Sequence, residues 1–279
     1  MSIASPARLR RRIRPAGAIG LAIVLFWVVM AVFGPFLAPH GEGSVVSAQV
    51  LDASSRAALL GTDYLGRDML SRILFGARYT VGVAALATVL ASLSGSMLAL
   101  WAATNGGWSD AIVSRLLDAL ISLPSLLFAL VVVAAVGSSI PILVLTAAVI
   151  YLPGAYRTVR ALAVNIVAME FVKVARARGE GAFYIMRAEI LPNIVLPVLT
   201  DFGLRFIYVV LLLSGLSFLG LGIQPPFADW GSLVRENIEG LAYGAPAVIM
   251  PALAIATLTI GVNLMIDGLH GRPGDPHGH

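Results

Sequence analysis

Six long stretches with few or no charged residues dominate this chain and decide the solvent in which it can fold. A helix that crosses the roughly 30 Å hydrocarbon core of a bilayer needs about 20 apolar residues. The runs at 17–37 and 79–103 contain no charged residue. Shorter runs at 119–136 and 140–156 are separated only by Gly137-Ser138-Ser139, a tight turn that predicts an antiparallel hairpin. A fifth run at 206–223 extends back to about 194, and a sixth covers 245–266. An isolated strand leaves its backbone unsatisfied in hydrocarbon, so all six are predicted as helices; the alternation of a β-barrel is absent. Composition agrees, with 12% charged residues against roughly 25% in soluble domains and a mean hydropathy of +0.90. The absence of cysteine excludes disulfides, thiolate zinc sites and iron–sulfur clusters. No cofactor and no metal is expected.

Orientation follows from the basic residues, which concentrate on the cytosolic side of membrane proteins. With the N-terminus inside, thirteen lie inside: five before Gly17, Arg115, six within 157–187, and Arg272. Five lie outside, Arg56, Arg67, Arg72, Arg78 and Arg235. The reading is therefore a basic cytosolic start (1–16), an extracytoplasmic segment (38–78), further outer segments at 137–139 and about 224–244, and a cytosolic tail (270–279). The net charge of +4 does not point to nucleic acid, because the arginines are scattered among apolar runs and no polar domain is left to bind it. The basic start also fits a signal peptide, but the first run is too long and no small-x-small site follows Leu37, so an uncleaved anchor is expected. In the second run Ala87, Ala91, Gly95, Ala99 and Ala103 recur every fourth residue, a stripe that lets helix backbones approach closely. His277 and His279 are too sparse in a Gly/Pro-rich tail for a metal site.

The inner segment 157–193 is far longer than the usual 2–8 residue connection between bundle helices. Its sequence FVKVARARGEGAFYIMRAEILPN (171–193) mixes apolar and charged residues at helical spacing, with Val174, Ala177 and Arg178 on one side. Gly179 and Gly181 then interrupt it, as glycine does at helix ends. A second amphipathic stretch (182–190) follows, and Pro192 opens the next helix, where its missing N–H costs nothing. Two short helices joined by a turn beneath the membrane form either a knob for a soluble partner or an amphipathic surface lying on headgroups.

This stretch resembles the cytoplasmic EAA loop of ABC importer permeases, Glu-Ala-Ala, three residues, Gly, and further on Leu-Pro. Ala175, Gly179, Leu191 and Pro192 fall in register, while Lys173 stands in place of Glu, Val174 in place of the first Ala, and Glu189 in place of Ile or His. LLGTDYLGRDMLSRILFGAR (59–78) and SFLGLGIQPPFADWG (217–231, with Ala228 where Pro is usual) are similar to signatures of the dipeptide/oligopeptide/nickel branch, in its second-permease subunit. The resemblance runs from the first apolar run to about Leu269. It implies an all-α membrane protein of six transmembrane helices, the type I ABC importer permease fold with an N-terminal extra helix, its core permease domain at 79–269. It implies a heterodimeric pore with a second permease in the bacterial cytoplasmic membrane, one or two ATPase subunits, and an extracytoplasmic binding protein. The loop residues Lys173, Val174, Ala175, Arg176, Gly179, Glu180, Leu191 and Pro192 would carry coupling to the ATPase. Peptide is the first expectation for substrate; the branch also carries nickel, metal chelates, opines and sugars.

Charged residues in or near the apolar runs are functional candidates by default. Asp201 and Arg205 are four apart on one helix face and can pair, as a structural pair at the inner interface or as part of the pore or its gate. Asn263 lies deeper in the sixth run, placed to bond across helices or to face the pore. Asp118 and Asp267 fall at wetted inner ends. Asp63, Arg67 and Asp68 make a salt-bridged turn or a contact for the binding protein. A membrane enzyme finds no support: there is no HExxH zinc site, and His40, His270, His277 and His279 all lie outside the apolar runs. Lys173, the sole lysine, follows Val172 rather than closing a Gly-rich phosphate loop, so ATP hydrolysis belongs to partners. The competing class is a secondary transporter or channel not driven by ATP, which would place ligands at mid-membrane, where these runs are nearly bare.

Overall fold

The computed structural model describes residues 15–56 and 58–269. The basic start through Arg14, the tail 270–279 with Arg272, and three of the four histidines lie outside the described residues. Five helices are long and apolar enough to cross a membrane, and a bent pair makes up to a sixth. The long ones are α1 (Pro15–Leu37), α2 (Met69–Asn105), α5 (Ile140–Val167), α8 (Leu191–Phe218) and α10 (Pro246–Leu269). Among the described residues extended pairing is limited to two isolated bridges, Val45 with Arg67 and Thr62 with Asp68.

Three boundaries differ from the sequence expectation, each for a local reason. The second span begins at Met69 rather than 79, because the Asp68 carboxylate caps it by accepting the N–H groups of Leu70 and Ser71. The segment expected to run from 38 to 78 thus ends at Asp68. The third run, 119–136, is not one helix. Its chain forms α3 (Gly107–Ile121) and α4 (Ser125–Val136), bent by 83°. Pro124 lacks an N–H and disfavours the helical region for Leu123. The 12 residues of α4 reach only about 18 Å at 1.5 Å per residue, so crossing takes both pieces. The second amphipathic stretch, finally, is not a separate helix. One turn, α7 (Ala182–Tyr184), passes through a π-helix (Ile185–Ile190) straight into α8. Pro192 has no N–H for the carbonyl of Ala188 and its ring crowds that carbonyl, and the preceding turn is widened accordingly.

Beyond α8, the backbone reverses at Gly220 (φ 86°) into a short outer helix, α9 (Trp230–Glu236), a 3-10 turn (Ile238–Tyr243) and α10. The small-residue stripe of α2 is buried throughout. Its partner is α5 of the same chain: a Cβ on Gly95 would stand 2.7 Å from the Leu152 carbonyl oxygen. Helix α1 is held similarly against α10, where a Cβ on Gly17 would come 2.7 Å from the Gly268 Cα. Trp27 of α1 donates its indole N–H to Thr257 of α10 at 3.0 Å.

The packed interior falls into two clusters. The larger joins α2, α4, α5, α8 and α10. The smaller lies at the end that carries the 168–190 connection, the loop face, and combines Leu100 and Ala103 of α2, Leu117 of α3, Tyr156 and Val159 of α5 and Ile194 of α8. Val172 and Ile190 of the connection belong to it as well.

Candidate coupling surface and cavity

The first half of the long inner loop folds as α6 (Glu170–Ala177), an eight-residue helix with two apolar sides. Val172 and Ala175 are fully buried, Val172 within the loop-face cluster, whereas Phe171 and Val174 are exposed at 43% and 55%. Exposed apolar residues on a helix already anchored by its other face mark an interaction surface. The inward attachment is reinforced by Arg176, whose guanidinium donates to the Thr104 carbonyl at the end of α2 at 2.7 Å. Helix α6 ends in a Schellman motif: the Glu180 N–H bonds the Ala175 carbonyl, and the Gly179 N–H bonds that of Arg176. Gly179 takes φ 84°, a left-handed conformation that glycine accepts at no steric cost. Lys173 pairs with Glu170 at 2.7 Å, both strongly exposed, a contact worth little to stability. Leu191 and Pro192 are exposed at the start of α8.

A cavity of about 590 Å³ opens beside the α3–α4 elbow. Leu120, Pro124 and Phe128 form one wall, and Tyr151, Gly154, Arg157 and Arg205 the other. Arg205 sits midway along α8. Its guanidinium is held by both oxygens of Asp201, at 2.6 and 2.9 Å, and by the Tyr151 carbonyl at 3.1 Å. The Asp201 carboxylate also accepts the Thr158 hydroxyl at 3.0 Å. Gly154 allows this crossing, since its missing Cβ would collide with the guanidinium. Nearer the loop face Arg157 pairs with Asp118 at 2.6 Å, both about half exposed. Asn263 is exposed on α10, has no side-chain bond across helices among the described residues and does not line this cavity. Asp267 is exposed, as expected for a wetted end.

On the opposite face the salt-bridged turn is present. Asp63, fully buried, accepts the N–H groups of Leu65 and Arg67 and the Arg67 guanidinium at 2.6 Å. Arg72, 2% exposed, bonds Glu236 of α9 at 3.0 Å and lies 3.5 Å from Asp63. Asp68 is held by Ser71 and His40. The two aspartates are thus turned inward, and the exposed residues of the turn are Tyr64 and Leu65. Asp229 caps α9 and is wholly buried; burial pushes its carboxyl above the usual carboxylate range, opposed by the hydroxyl of Ser217 and the N–H and hydroxyl of Ser232.

Sequence reasoning passed over Tyr151, Gly154, Arg157 and Thr158 as cavity residues. The signal was there: Pro153-Gly154 inside an apolar run marks a helix that bends or lets another group approach. It also passed over Asp229, and over Arg72 and Glu236, which pair across 164 positions.

A multi-pass helical bundle with a protruding, two-faced loop helix and a cavity beside a broken span defines a membrane component of a transport system. The chain belongs to the binding-protein-dependent transport system inner membrane components, the permeases of ABC importers: residues 95–273 match that family's model. Residues 7–53 match the N-terminal TM domain of oligopeptide transport permease C. Among its relatives, the dipeptide transport system permease protein DppC of Escherichia coli is 36% identical over 263 residues, 92% of this chain and 88% of that protein. The di/tripeptide transport system permease protein DppC of Pseudomonas aeruginosa is 32% identical, covering 90% of this chain and 84% of its own length. The glutathione transport system permease protein GsiD of Pectobacterium atrosepticum is 32% identical, covering 93% and 87%.

Proposed function

We propose that this chain is one of two permeases of a peptide importer in the bacterial cytoplasmic membrane, and that α6 is the element its ATPase partner grips. The observation that carries this is the division of α6 into two apolar faces. A partner that holds Phe171 and Val174 and moves α6 also moves the loop-face ends of α2 and α5, because Val172 shares their core and Arg176 is bonded to the Thr104 carbonyl. ATP-driven closure thereby reaches the cavity as rigid-body rocking. The thirteen-to-five distribution of basic residues supports a cytosolic loop face with both termini inside. The second permease completes the pore around the α3–α4 elbow. Arg205, held by Asp201, belongs to its wall; Asn263 does not line this cavity. The binding protein docks on the outer face through Tyr64 and Leu65, since Asp63 and Asp68 are consumed in the turn. The peptide substrate takes support from the dipeptide, di/tripeptide and glutathione permeases among the relatives.

The test is uptake of a labelled dipeptide by membrane vesicles containing the complete importer with Gly179→Asp. The substitution forces a side chain into φ 84° and places a charge beside the docking face, while no membrane-spanning residue changes. The expected result is normal insertion and a retained second permease, with transport lost and the ATPase released on solubilisation. Lys173→Glu, which alters only an exposed pair, should stay active. Normal uptake by Gly179→Asp with its ATPase attached would refute the coupling role.

A further inference from the structure

A second concavity, of about 440 Å³, lies on the outer side of the bundle near the loop face, away from the translocation cavity. Met97, Leu98 and Trp101 of α2 form one wall, and Phe183, Met186 and Leu191 of the π-helical entry to α8 form the other. It is apolar except at one point, the Arg187 side chain at its edge. Arg187 is exposed, and among the described residues it has no ion pair or hydrogen bond. The two arginines that line the larger cavity, Arg157 and Arg205, each have a carboxylate partner.

Depth identifies the surroundings. Trp101 is four residues before the end of α2 at Asn105, about 6 Å inside it at 1.5 Å per residue. That is the interfacial level where tryptophan collects in membrane proteins. The groove continues the exposed apolar flank of α2, formed by Leu86, Leu90 and Leu93, which meets lipid if α2 spans the bilayer with this flank turned away from the second permease. Its occupant therefore comes from the leaflet. The combination of an apolar slot, an indole at headgroup level and an unpaired cation at the mouth fits an amphiphile with a hydrocarbon tail and a negative head. A volume of about 440 Å³ suits one acyl chain, not a whole lipid.

We propose that this groove is a binding site for an anionic phospholipid, with one acyl chain between α2 and the start of α8 and its phosphate on Arg187. The site does not depend on the transport reading. Phe183, Met186, Arg187 and Leu191, at spacings of three and four, share one side of this continuous helical segment. The ATPase-facing residues Phe171 and Val174 are not part of it.

Trp101 is a built-in reporter. The full chain is placed in phosphatidylcholine vesicles in which either phosphatidylglycerol or phosphatidylcholine carries brominated acyl chains. Quenching specific to Trp101 is the difference between the wild type and Trp101→Phe. Half-quenching should need roughly fivefold less brominated phosphatidylglycerol than brominated phosphatidylcholine, the effect of one basic residue near an anionic headgroup. Arg187→Gln should bring the two curves together, and Arg187→Lys should keep most of the difference. Coincident curves in the wild type would mean ordinary lipid contact and overturn the proposal. So would an unchanged preference in Arg187→Gln. Loss of quenching on adding the partner ATPase would assign the groove to a protein and overturn it equally.

Discussion

Gly95→Ala tests how closely α2 and α5 approach, and the structure supplies the magnitude. The new methyl would lie 2.7 Å from the Leu152 carbonyl oxygen, 2.8 Å from the Ala155 Cβ and 3.0 Å from the Tyr156 nitrogen. Ordinary heavy-atom contacts are about 3.5–4.0 Å, and two of these three neighbours are backbone, so α5 itself has to move. Overpacking of this kind costs roughly 1–3 kcal/mol. Replacing glycine by alanine within a helix returns about 0.5–1 kcal/mol. The net expectation is a loss of roughly 0–2.5 kcal/mol from these two terms. Gly82 on the same helix is the control, because a Cβ there meets nothing within 4 Å; Gly82→Ala should gain about 0.5–1 kcal/mol. The assay is unfolding of the purified chain in mixed micelles by increasing SDS, followed by tryptophan fluorescence. The two variants should shift the midpoint in opposite directions. If Gly95→Ala is as stable as Gly82→Ala, the close approach is wrong. If its loss appears only in the presence of a second permease, the stripe serves assembly between chains and not packing within this one.

Arg205→Ala should destabilise the chain by roughly 3–5 kcal/mol, because it leaves a carboxylate unpaired inside the bundle, and removing Asp201 as well should restore much of the loss; SDS unfolding of the two single variants and the double variant measures the coupling. Asp229, raised by burial from an ordinary value near 3.8, contributes stability that is complete below that value and is lost as the pH rises through its raised one. Over this interval the wild type should therefore lose more thermal stability with rising pH than Asp229→Asn does, and equal slopes in the two would refute the shift. Cysteines at Ser54 and Tyr243, both exposed, should react with an impermeant reagent from outside and one at Ala182 from inside; Ser232, buried in the α9 cap, is unsuited to this test. Labelling of Ala182 from outside would reverse the orientation.

Some of this molecule was legible from residue order alone, because the bilayer imposes its conditions locally. A run of about 20 apolar residues has one stable solution in hydrocarbon, so most of the spans were readable one at a time. Gly179 was readable as a helix stop for the same reason: the Schellman turn is completed within six residues, Ala175 to Glu180. The break at Pro124 was written in the sequence too, but hydropathy averages across a proline and hides an 83° bend. What tertiary structure decided are the pairings. The alanine and glycine stripe of α2 announced a close neighbour, yet only the fold chose α5 of the same chain over another subunit. Polarity within an apolar run does not say which way a side chain faces, so only the fold could show that Asn263 is exposed on α10. Arg72 finds Glu236 across 164 positions, and Arg205 reaches the Tyr151 carbonyl across 54. Burial and charge pairing are properties of neighbours in space, and helices packed by shape bring together residues that carry no mark of one another along the chain.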